Sequence, residues 1–323
     1  MPNQFPTPRM IASNGVTLSV HEAGPGDGVP VVLCHGFPEL AYSWRHQLPA
    51  LADAGFRVIA PDQRGYGGSS KPAAVDQYDI QHLTADLTGL LDALDIEKAI
   101  FCGHDWGGLV VWQMPLLHPS RVAGVIGVGV PFLPRAAEDP VETFRQMWGE
   151  RMYIVNFQHS HEADELFDAD PRRVFDMLLR KSEMTLADYQ KLPLEDKVAD
   201  LIARVKSGPG KGQRIVQDDE LDVYTDAFKQ GGFTGPINWY RNWSQNWQST
   251  AHVPQQVDVP SLYIKAGNDL ATAAIPDLDS LMAGHVADLE IQEVPASGHW
   301  LQQEYPVEVN RFIVDWLSRR FGG

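Results

Sequence analysis

A six-residue segment, residues 103–108 (GHDWGG), constrains the fold more than any other part of this sequence. It follows a short apolar run at 99–102 and leads directly into a helical stretch at 108–117. A buried strand, a glycine-flanked turn and a helix in immediate succession are typical of a nucleophile elbow. In such a turn, glycines allow the close backbone packing that holds the central residue, here Asp105, in a strained conformation.

The surrounding sequence has the pattern of an α/β fold with a mostly parallel sheet. Continuously apolar runs, which suit strands covered on both faces, alternate with helical periodicity. Such alternation predicts right-handed crossovers between parallel strands. The predicted strands are 16–20, 31–34, 57–60, 99–102 and 122–130, and the predicted helices are 41–54, 80–94 and 108–117.

The alternation of strands and helices stops after Pro134. From there the chain has many charged residues and a helical periodicity. The alternation returns with strands at 261–266 and 289–294 and a closing helix at 307–320. We therefore predict a core formed by residues 1–134 and 248–323, and a helical lid formed by residues 135–247. An insertion at the carboxyl edge of a parallel sheet lies over the place where ligands bind.

Charge and composition exclude several classes of function. The 323 residues carry a net charge of −16, which disfavours binding to nucleic acids and to anionic membranes. The N-terminus lacks the basic and apolar stretches of a secretory signal, and no apolar run is long enough to span a membrane. Cys34 and Cys102 each end an apolar run, which predicts two buried thiols in a cytoplasmic protein.

An aspartate at the centre of the elbow indicates a particular chemistry. A serine nucleophile needs a base to remove its proton, whereas the Asp105 carboxylate is already ionised at neutral pH. A carboxylate suits displacement at an sp³ carbon that bears a leaving group, and the product is an ester of the enzyme. Water must then cleave that ester, which requires a base and an oxyanion hole. The expected substrates are epoxides or alkyl halides.

Chain order identifies the base. In this type of site the nucleophile is followed by an acid and then by a histidine. The histidines after the charged helical segment are His252, His285 and His299. His252 lies where the lid rejoins the core, and His285 precedes the last strand at the wrong edge of the sheet. His299 follows that strand at the correct edge, so we predict it as the base.

The acid and the oxyanion hole follow from the same edge of the sheet. Asp269 comes directly after the predicted strand 261–266, whereas Asp277 and Asp279 are more typical of a solvated helix surface. The oxyanion hole needs one N–H group from the residue after the nucleophile and one from an earlier strand–helix loop. These are predicted to be the backbone amides of Trp106 and Phe37.

In these residues the chain resembles the α/β-hydrolase family, and within it the soluble, microbial-type epoxide hydrolases. Residues 35–38 (HGFP) resemble the family's H-G-x-P motif, and residues 103–108 resemble its elbow. Residues 62–69 (DQRGYGGS) and 297–300 (SGHW) are similar to two further loops of the family. The resemblance extends over essentially the whole chain and implies an epoxide hydrolase with the α/β-hydrolase fold.

The resemblance also implies a role for two lid tyrosines, which in this family hydrogen-bond the epoxide oxygen. Residues 235–241 (GPINWYR) closely resemble the segment that holds one of them, Tyr240. Residues 152–158 (MYIVNFQ) resemble the other, with Tyr153. From periodicity alone, the nearby tryptophans at 239, 243 and 247 are expected to form one stripe of lid core.

Two other functions remain open at this point. A haloalkane dehalogenase would share the nucleophile and triad, although many such enzymes have Asn after His-Gly where this chain has Phe37. A non-catalytic small-molecule receptor on the same fold would bind without turnover. For the epoxide hydrolase, we expect an epoxide and water as the only reactants, with no cofactor and no metal. The sequence leaves both a monomer and a homodimer open.

Overall fold

The computed structural model describes residues 5–272, 275 and 277–322. Within them, eight strands form a sheet in the spatial order β1-β2-β4-β3-β5-β6-β7-β8. The strands are Arg9–Ser13 (β1), Val16–Ala23 (β2), Pro30–Cys34 (β3), Arg57–Asp62 (β4), Ala99–His104 (β5), Val122–Val128 (β6), Ser261–Ala266 (β7) and Leu289–Val294 (β8). Strand β2 pairs antiparallel with β1 and β4, and all the other pairs are parallel. The predicted α/β fold class is confirmed.

The helices surround this sheet and also fill the interval between β6 and β7. They are Gln47–Asp53 (α1), Ile80–Ala93 (α2), Trp106–Leu117 (α3), Pro140–Trp148 (α4), Tyr153–His159 (α5), Glu162–Ala169 (α6), Pro171–Leu178 (α7), Leu186–Lys191 (α8), Leu201–Ser207 (α9), Asp218–Gly231 (α10), Thr234–Arg241 (α11), Trp243–Ser249 (α12), Leu278–Ala283 (α13), Leu301–Glu304 (α14) and Pro306–Phe321 (α15). Short 3₁₀ turns occupy Ala41–Trp44, Val75–Tyr78, Pro119–Arg121, Leu194–Lys197 and Leu270–Thr272. None of the helices in the described ranges has the length and apolar character needed to cross a membrane.

The core lies on both faces of the sheet. Alternate residues of β3 belong to different apolar clusters: Val31 and Leu33 pack with α1 and α15, whereas Val32 and Cys34 pack with α2 and α3. Burial on both faces explains why the parallel strands are continuously apolar in sequence. Because these strands are parallel, their carboxyl ends lie at one edge of the sheet. Helices α4–α12 adjoin this edge.

Sequence analysis did not predict β1. A two-residue hairpin turn joins it to β2, with positive φ angles of 45° at Asn14 and 76° at Gly15. An Asn-Gly pair is the strongest short-range signal for this turn, because both central residues must adopt positive φ. The sequence therefore contains the evidence for β1, although the strand itself has little apolar alternation.

The helical segment between β6 and β7 contacts the core at the carboxyl edge of the sheet. The indole N–H of Trp239 in α11 donates to the backbone oxygen of Arg64, two residues after β4. The indole N–H of Trp300, which follows β8, donates to the backbone oxygen of Leu178 in α7. These bonds place α7 and α11 over the loops that follow the strands.

The three tryptophans of the predicted stripe lie on two helices, because α11 ends at Arg241 and α12 begins at Trp243. Trp239 and Trp243 nevertheless contact the same ring, that of Trp106. Trp239 is fully buried against the core, and Trp243 packs on Trp106 with ring centroids 5.0 Å apart. Trp247 donates its indole N–H to the backbone oxygen of Ala136. Trp243 also packs within the helical segment, on Phe144 of α4, with ring centroids 5.9 Å apart.

Candidate active site

The elbow between β5 and α3 holds Asp105 in an unusual backbone conformation. Asp105 has φ 49° and ψ −124°, a region that non-glycine residues rarely adopt and that costs free energy. The turn is closed by glycines: a Cβ atom at Gly103 would lie 2.2 Å from the oxygen of Gly107, and one at Gly107 would lie 2.1 Å from the oxygen of Cys34. The Asp105 carboxylate lies at the N-terminus of α3, where the helix dipole favours an anion.

The loop after β3 lies directly against this carboxylate. The backbone N–H of Phe37 donates a 2.7 Å hydrogen bond to Oδ1 of Asp105. Gly36 permits this approach, because a Cβ atom there would lie 2.3 Å from the Cβ of Asp105. Trp106 is the first residue of α3, so its N–H belongs to the helix turn whose amides have no partner within the helix. Both predicted oxyanion-hole residues therefore adjoin Asp105.

Asp105, His299 and Asp269 come together from three separate strand ends. Nε2 of His299 lies 3.5 Å from Oδ2 of Asp105, and its Nδ1 lies 3.0 Å from Oδ2 of Asp269. The Asp269 side chain is only 4% exposed, whereas those of Asp105 and His299 are 20% and 28% exposed. The buried acid can fix the orientation of the imidazole, while the other two side chains stay accessible to a small molecule.

Opposite charges in this group shift both pKa values in the direction of an ion pair. Burial lowers the pKa of His299, but the charge of Asp269, the hydrogen bonds to both carboxylates and the charge of Asp105 raise it well above its ordinary value. Burial raises the pKa of Asp105, but its hydrogen bond with His299, the charges of His299 and His104 and the Phe37 N–H bring it below its ordinary value. Both shifts favour the charged forms, a carboxylate beside an imidazolium.

The two predicted lid tyrosines, Tyr153 of α5 and Tyr240 of α11, lie opposite the elbow. Their rings are 5.5 Å apart, and the ring of Tyr240 also lies 5.2 Å from Trp106 and 5.1 Å from Phe37. Burial, with a further contribution from the charge of Asp105, raises the pKa of both hydroxyls. Both tyrosines are therefore protonated at neutral pH and able to donate hydrogen bonds.

A buried glutamate that sequence analysis missed connects the loops of this site. Oε2 of Glu39 accepts a hydrogen bond from the N–H of Gly36 and lies 2.9 Å from Nδ1 of His104, the residue before Asp105. Nε2 of His104 in turn lies 2.8 Å from the backbone oxygen of His299. A carboxylate in an otherwise apolar segment is the sequence signal for Glu39, but its partners are set by the tertiary fold alone.

Metal ligation has no support in the part of the chain that the structure describes. No three His, Cys, Asp or Glu side chains are grouped there as metal ligands would be.

The chain matches the family model described as alpha/beta hydrolase fold over residues 29–306. It is 44% identical to epoxide hydrolase A of Mycobacterium tuberculosis over 321 residues, which cover 97% of this chain and 98% of that protein. It is 35% identical over 304 residues to bifunctional epoxide hydrolase 2 of Rattus norvegicus, covering 93% of this chain but only 54% of that longer protein. The crystal structure of epoxide hydrolase A from Mycobacterium thermoresistibile matches with a TM-score of 0.86 and 44% identity, covering 97% of this chain and 98% of that one.

Proposed function

This chain belongs to the alpha/beta hydrolase fold family, among the epoxide hydrolases, and from that premise we propose that it converts epoxides to vicinal diols through a covalent ester on Asp105. The observation that carries the mechanism is the different surroundings of the two Asp105 oxygens. Oδ1 accepts the Phe37 N–H at 2.7 Å, while Oδ2 lies on the side of His299. Two protonated tyrosines lie opposite the same carboxylate.

In the first step, Oδ2 of Asp105 attacks one carbon of the epoxide ring. The carbon–oxygen bond breaks, and its electron pair moves to the epoxide oxygen. The hydroxyls of Tyr153 and Tyr240 donate hydrogen bonds to the developing alkoxide, and one of them supplies its proton. Such donors act where charge develops in the transition state, which is where they lower the barrier most.

In the second step, water cleaves the ester. Alkylation removes the negative charge of Asp105, which is one of the groups that raise the pKa of His299. The imidazolium can then give up its proton, which restores the tyrosine that protonated the alkoxide, and the neutral imidazole becomes a base. His299, oriented by Asp269, then takes a proton from water, and the resulting hydroxide equivalent attacks Cγ of Asp105. The developing oxyanion forms on Oδ1, where the amides of Phe37 and Trp106 stabilise it. Collapse releases the diol and restores the carboxylate.

The helices between β6 and β7 have a defined role in this proposal. Residues 135–247 form the lid and supply the proton donors, and residues 1–134 and 248–323 form the core and supply the nucleophile, base and acid. The reactants are the epoxide and water, and the chemistry needs no cofactor because the nucleophile is already ionised. Two buried free thiols, Cys34 and Cys102, support a reducing, cytoplasmic location.

Isotope labelling tests the covalent mechanism directly. A single turnover with excess enzyme in H₂¹⁸O is expected to give an unlabelled diol and to introduce ¹⁸O into the peptide that contains Asp105. Direct attack of water on the epoxide would instead label the diol in that first turnover, and this result would contradict the proposal.

A substrate panel separates the rival functions. We expect steady multiple turnover on aliphatic or aryl epoxides and no halide release from haloalkanes of similar size. Halide release without diol formation would identify a haloalkane dehalogenase, and binding without turnover would identify a receptor. The two tyrosine donors favour the epoxide, because a halide leaving group requires no proton.

A further inference from the structure

The loop that carries His299 is held by a side chain that the mechanism above does not use. The carboxylate of Glu304 in α14 accepts hydrogen bonds from the N–H of Gly298 at 3.3 Å and from the N–H of Trp300 at 3.1 Å. These are the amides immediately before and after the histidine. Gly298 allows this contact, because a Cβ atom there would lie 3.1 Å from Oε1 of Glu304.

Other contacts also hold the backbone of this loop. Ser297 donates its N–H and its hydroxyl to the oxygen of Val294, and its own oxygen accepts the N–H of Asn268. The backbone oxygen of His299 lies 2.8 Å from Nε2 of His104. Glu304 thus complements these contacts and binds both amides that flank the base.

Helix capping alone does not account for this arrangement. Trp300 is the N-cap of α14, so a bond from its N–H to a side chain in the first turn satisfies one free amide of the helix. The N–H of Gly298, however, lies outside the helix. A carboxylate that binds both amides connects the loop to the helix across the histidine.

We propose that Glu304 is a positioning residue that fixes the imidazole of His299 for the water-activating step. This inference rests on the proposed function and concerns the second half of the reaction. Ester formation uses Oδ2 of Asp105 and the two tyrosines, and it makes no demand on the position of a base. Ester cleavage requires Nε2 of His299 to reach a water molecule that is aligned with Cγ of Asp105.

The test is Glu304→Gln, which keeps the size of the side chain but loses the charge and one of the two acceptor oxygens. Rapid mixing with an epoxide separates ester formation from ester hydrolysis. Since a displacement of about 1 Å can cost ~10²-fold in rate, we expect hydrolysis to slow by ~10- to 100-fold. Ester formation should change by less than about threefold, so that the alkyl-enzyme accumulates. Glu308→Gln, in an exposed position of α15, is the matched control and should leave both steps unchanged.

A second measurement is independent of catalysis. In the resting protein, the imidazole proton between Nδ1 of His299 and Asp269 should give a downfield NMR resonance, assigned by its loss in His299→Gln. Glu304→Gln should shift or broaden this resonance, whereas Glu308→Gln should not. Glu304→Asp, which keeps the charge but is one methylene shorter, should show an intermediate effect on both measurements.

Three results would overturn the inference. The first is hydrolysis in Glu304→Gln as fast as in the wild type, and the second is a slowing of both steps by the same factor. The third is a His299 resonance that is unchanged by the substitution. If the wild type forms no ester at all, the proposed function fails, and the resonance still decides whether Glu304 positions the histidine.

Discussion

The backbone N–H of Phe37 binds Oδ1 of Asp105 at 2.7 Å and leaves Oδ2 facing Nε2 of His299 at 3.5 Å. The two oxygens of one carboxylate therefore differ before any substrate binds. Oδ1, which already has an amide donor, is placed to become the carbonyl oxygen of an ester. Oδ2 is the oxygen that we expect to attack, and this difference underlies the predictions below.

Asp105→Ala should abolish turnover without unfolding the protein, because it removes the nucleophile rather than a core contact. We expect diol formation to fall by roughly 10⁴-fold or more, as when other nucleophilic enzymes lose their nucleophile. Diol formation and thermal unfolding should be measured together. Asp53→Ala, at an exposed end of α1, is the control and should retain activity. Near-normal diol formation by the folded Asp105 variant would refute the covalent mechanism.

His299→Gln should stop the reaction after its first step. Ester formation does not use the base, whereas ester hydrolysis loses the roughly 10²- to 10⁴-fold that general base catalysis supplies. Intact-protein mass spectrometry should therefore show an adduct of the mass of the epoxide, and peptide mapping should locate it on Asp105. Steady consumption of the epoxide without any adduct would count against separate roles for Asp105 and His299.

Tyr153→Phe and Tyr240→Phe should each slow ester formation alone. Removing one transition-state donor typically costs about 2.7–4 kcal/mol, or roughly 10²- to 10³-fold in rate, although the remaining tyrosine should reduce this loss. Alkylation can be followed through tryptophan fluorescence, with Trp106 beside the nucleophile. Tyr189→Phe is the control, because the Tyr189 hydroxyl donates to the backbone oxygen of Lys197 within the helical segment. Normal alkylation by both single variants would assign the two tyrosines to packing.

The pKa of His299 should fall when either carboxylate loses its charge. Burial already works against the imidazolium, so its raised pKa depends on Asp269 first and on Asp105 next. We expect Asp269→Asn to lower the pKa more than Asp105→Asn does, in an NMR titration of the imidazole. A pKa unchanged by both substitutions would contradict the ion pair.

The raised pKa of His299 also makes the stability of the protein depend on pH. A raised pKa means that the folded protein holds this proton more tightly than the unfolded chain does. Its contribution to stability is therefore complete below pH 6.5, the ordinary pKa, and is lost as the pH rises through the raised value. The difference in unfolding free energy between the wild type and His299→Gln should shrink over that window.

The proximity of Asp105, Asp269 and His299 is predictable because each follows a strand of one parallel sheet. The carboxyl ends of such strands lie at the same edge of the sheet, so the order of these residues along the chain is enough to predict that they come together. The contacts of Glu39 and Glu304 are not predictable in this way. Glu304 binds backbone amides, which carry no residue-specific signal in the sequence. Glu39 binds one backbone amide and the side chains of residues far away in the chain, which only the tertiary fold brings near it.

A helix break is a second feature that the sequence pattern does not predict. The four-residue spacing of the tryptophans at 239, 243 and 247 suggests one face of one helix, but the spacing says nothing about the interruption at Asn242. The Asn242 side chain donates to the backbone oxygens of Asn238 and Val75, and the second of these bonds connects it to the core. At this position a tertiary contact, and not the local periodicity of the sequence, accounts for the helix break.

Strands β6 and β7 are hydrogen-bonded neighbours, with Val125 opposite Ser261. The long helical segment between them therefore leaves the carboxyl end of β6 and returns to the amino end of the adjacent parallel strand β7. The ladder fixes both strands whatever the length of this segment, and the entropy of closing a loop grows only slowly with the number of residues. The helical segment, with Tyr153 and Tyr240, can thus be replaced by the corresponding segment of another chain. The sheet would keep Asp105 in the same position.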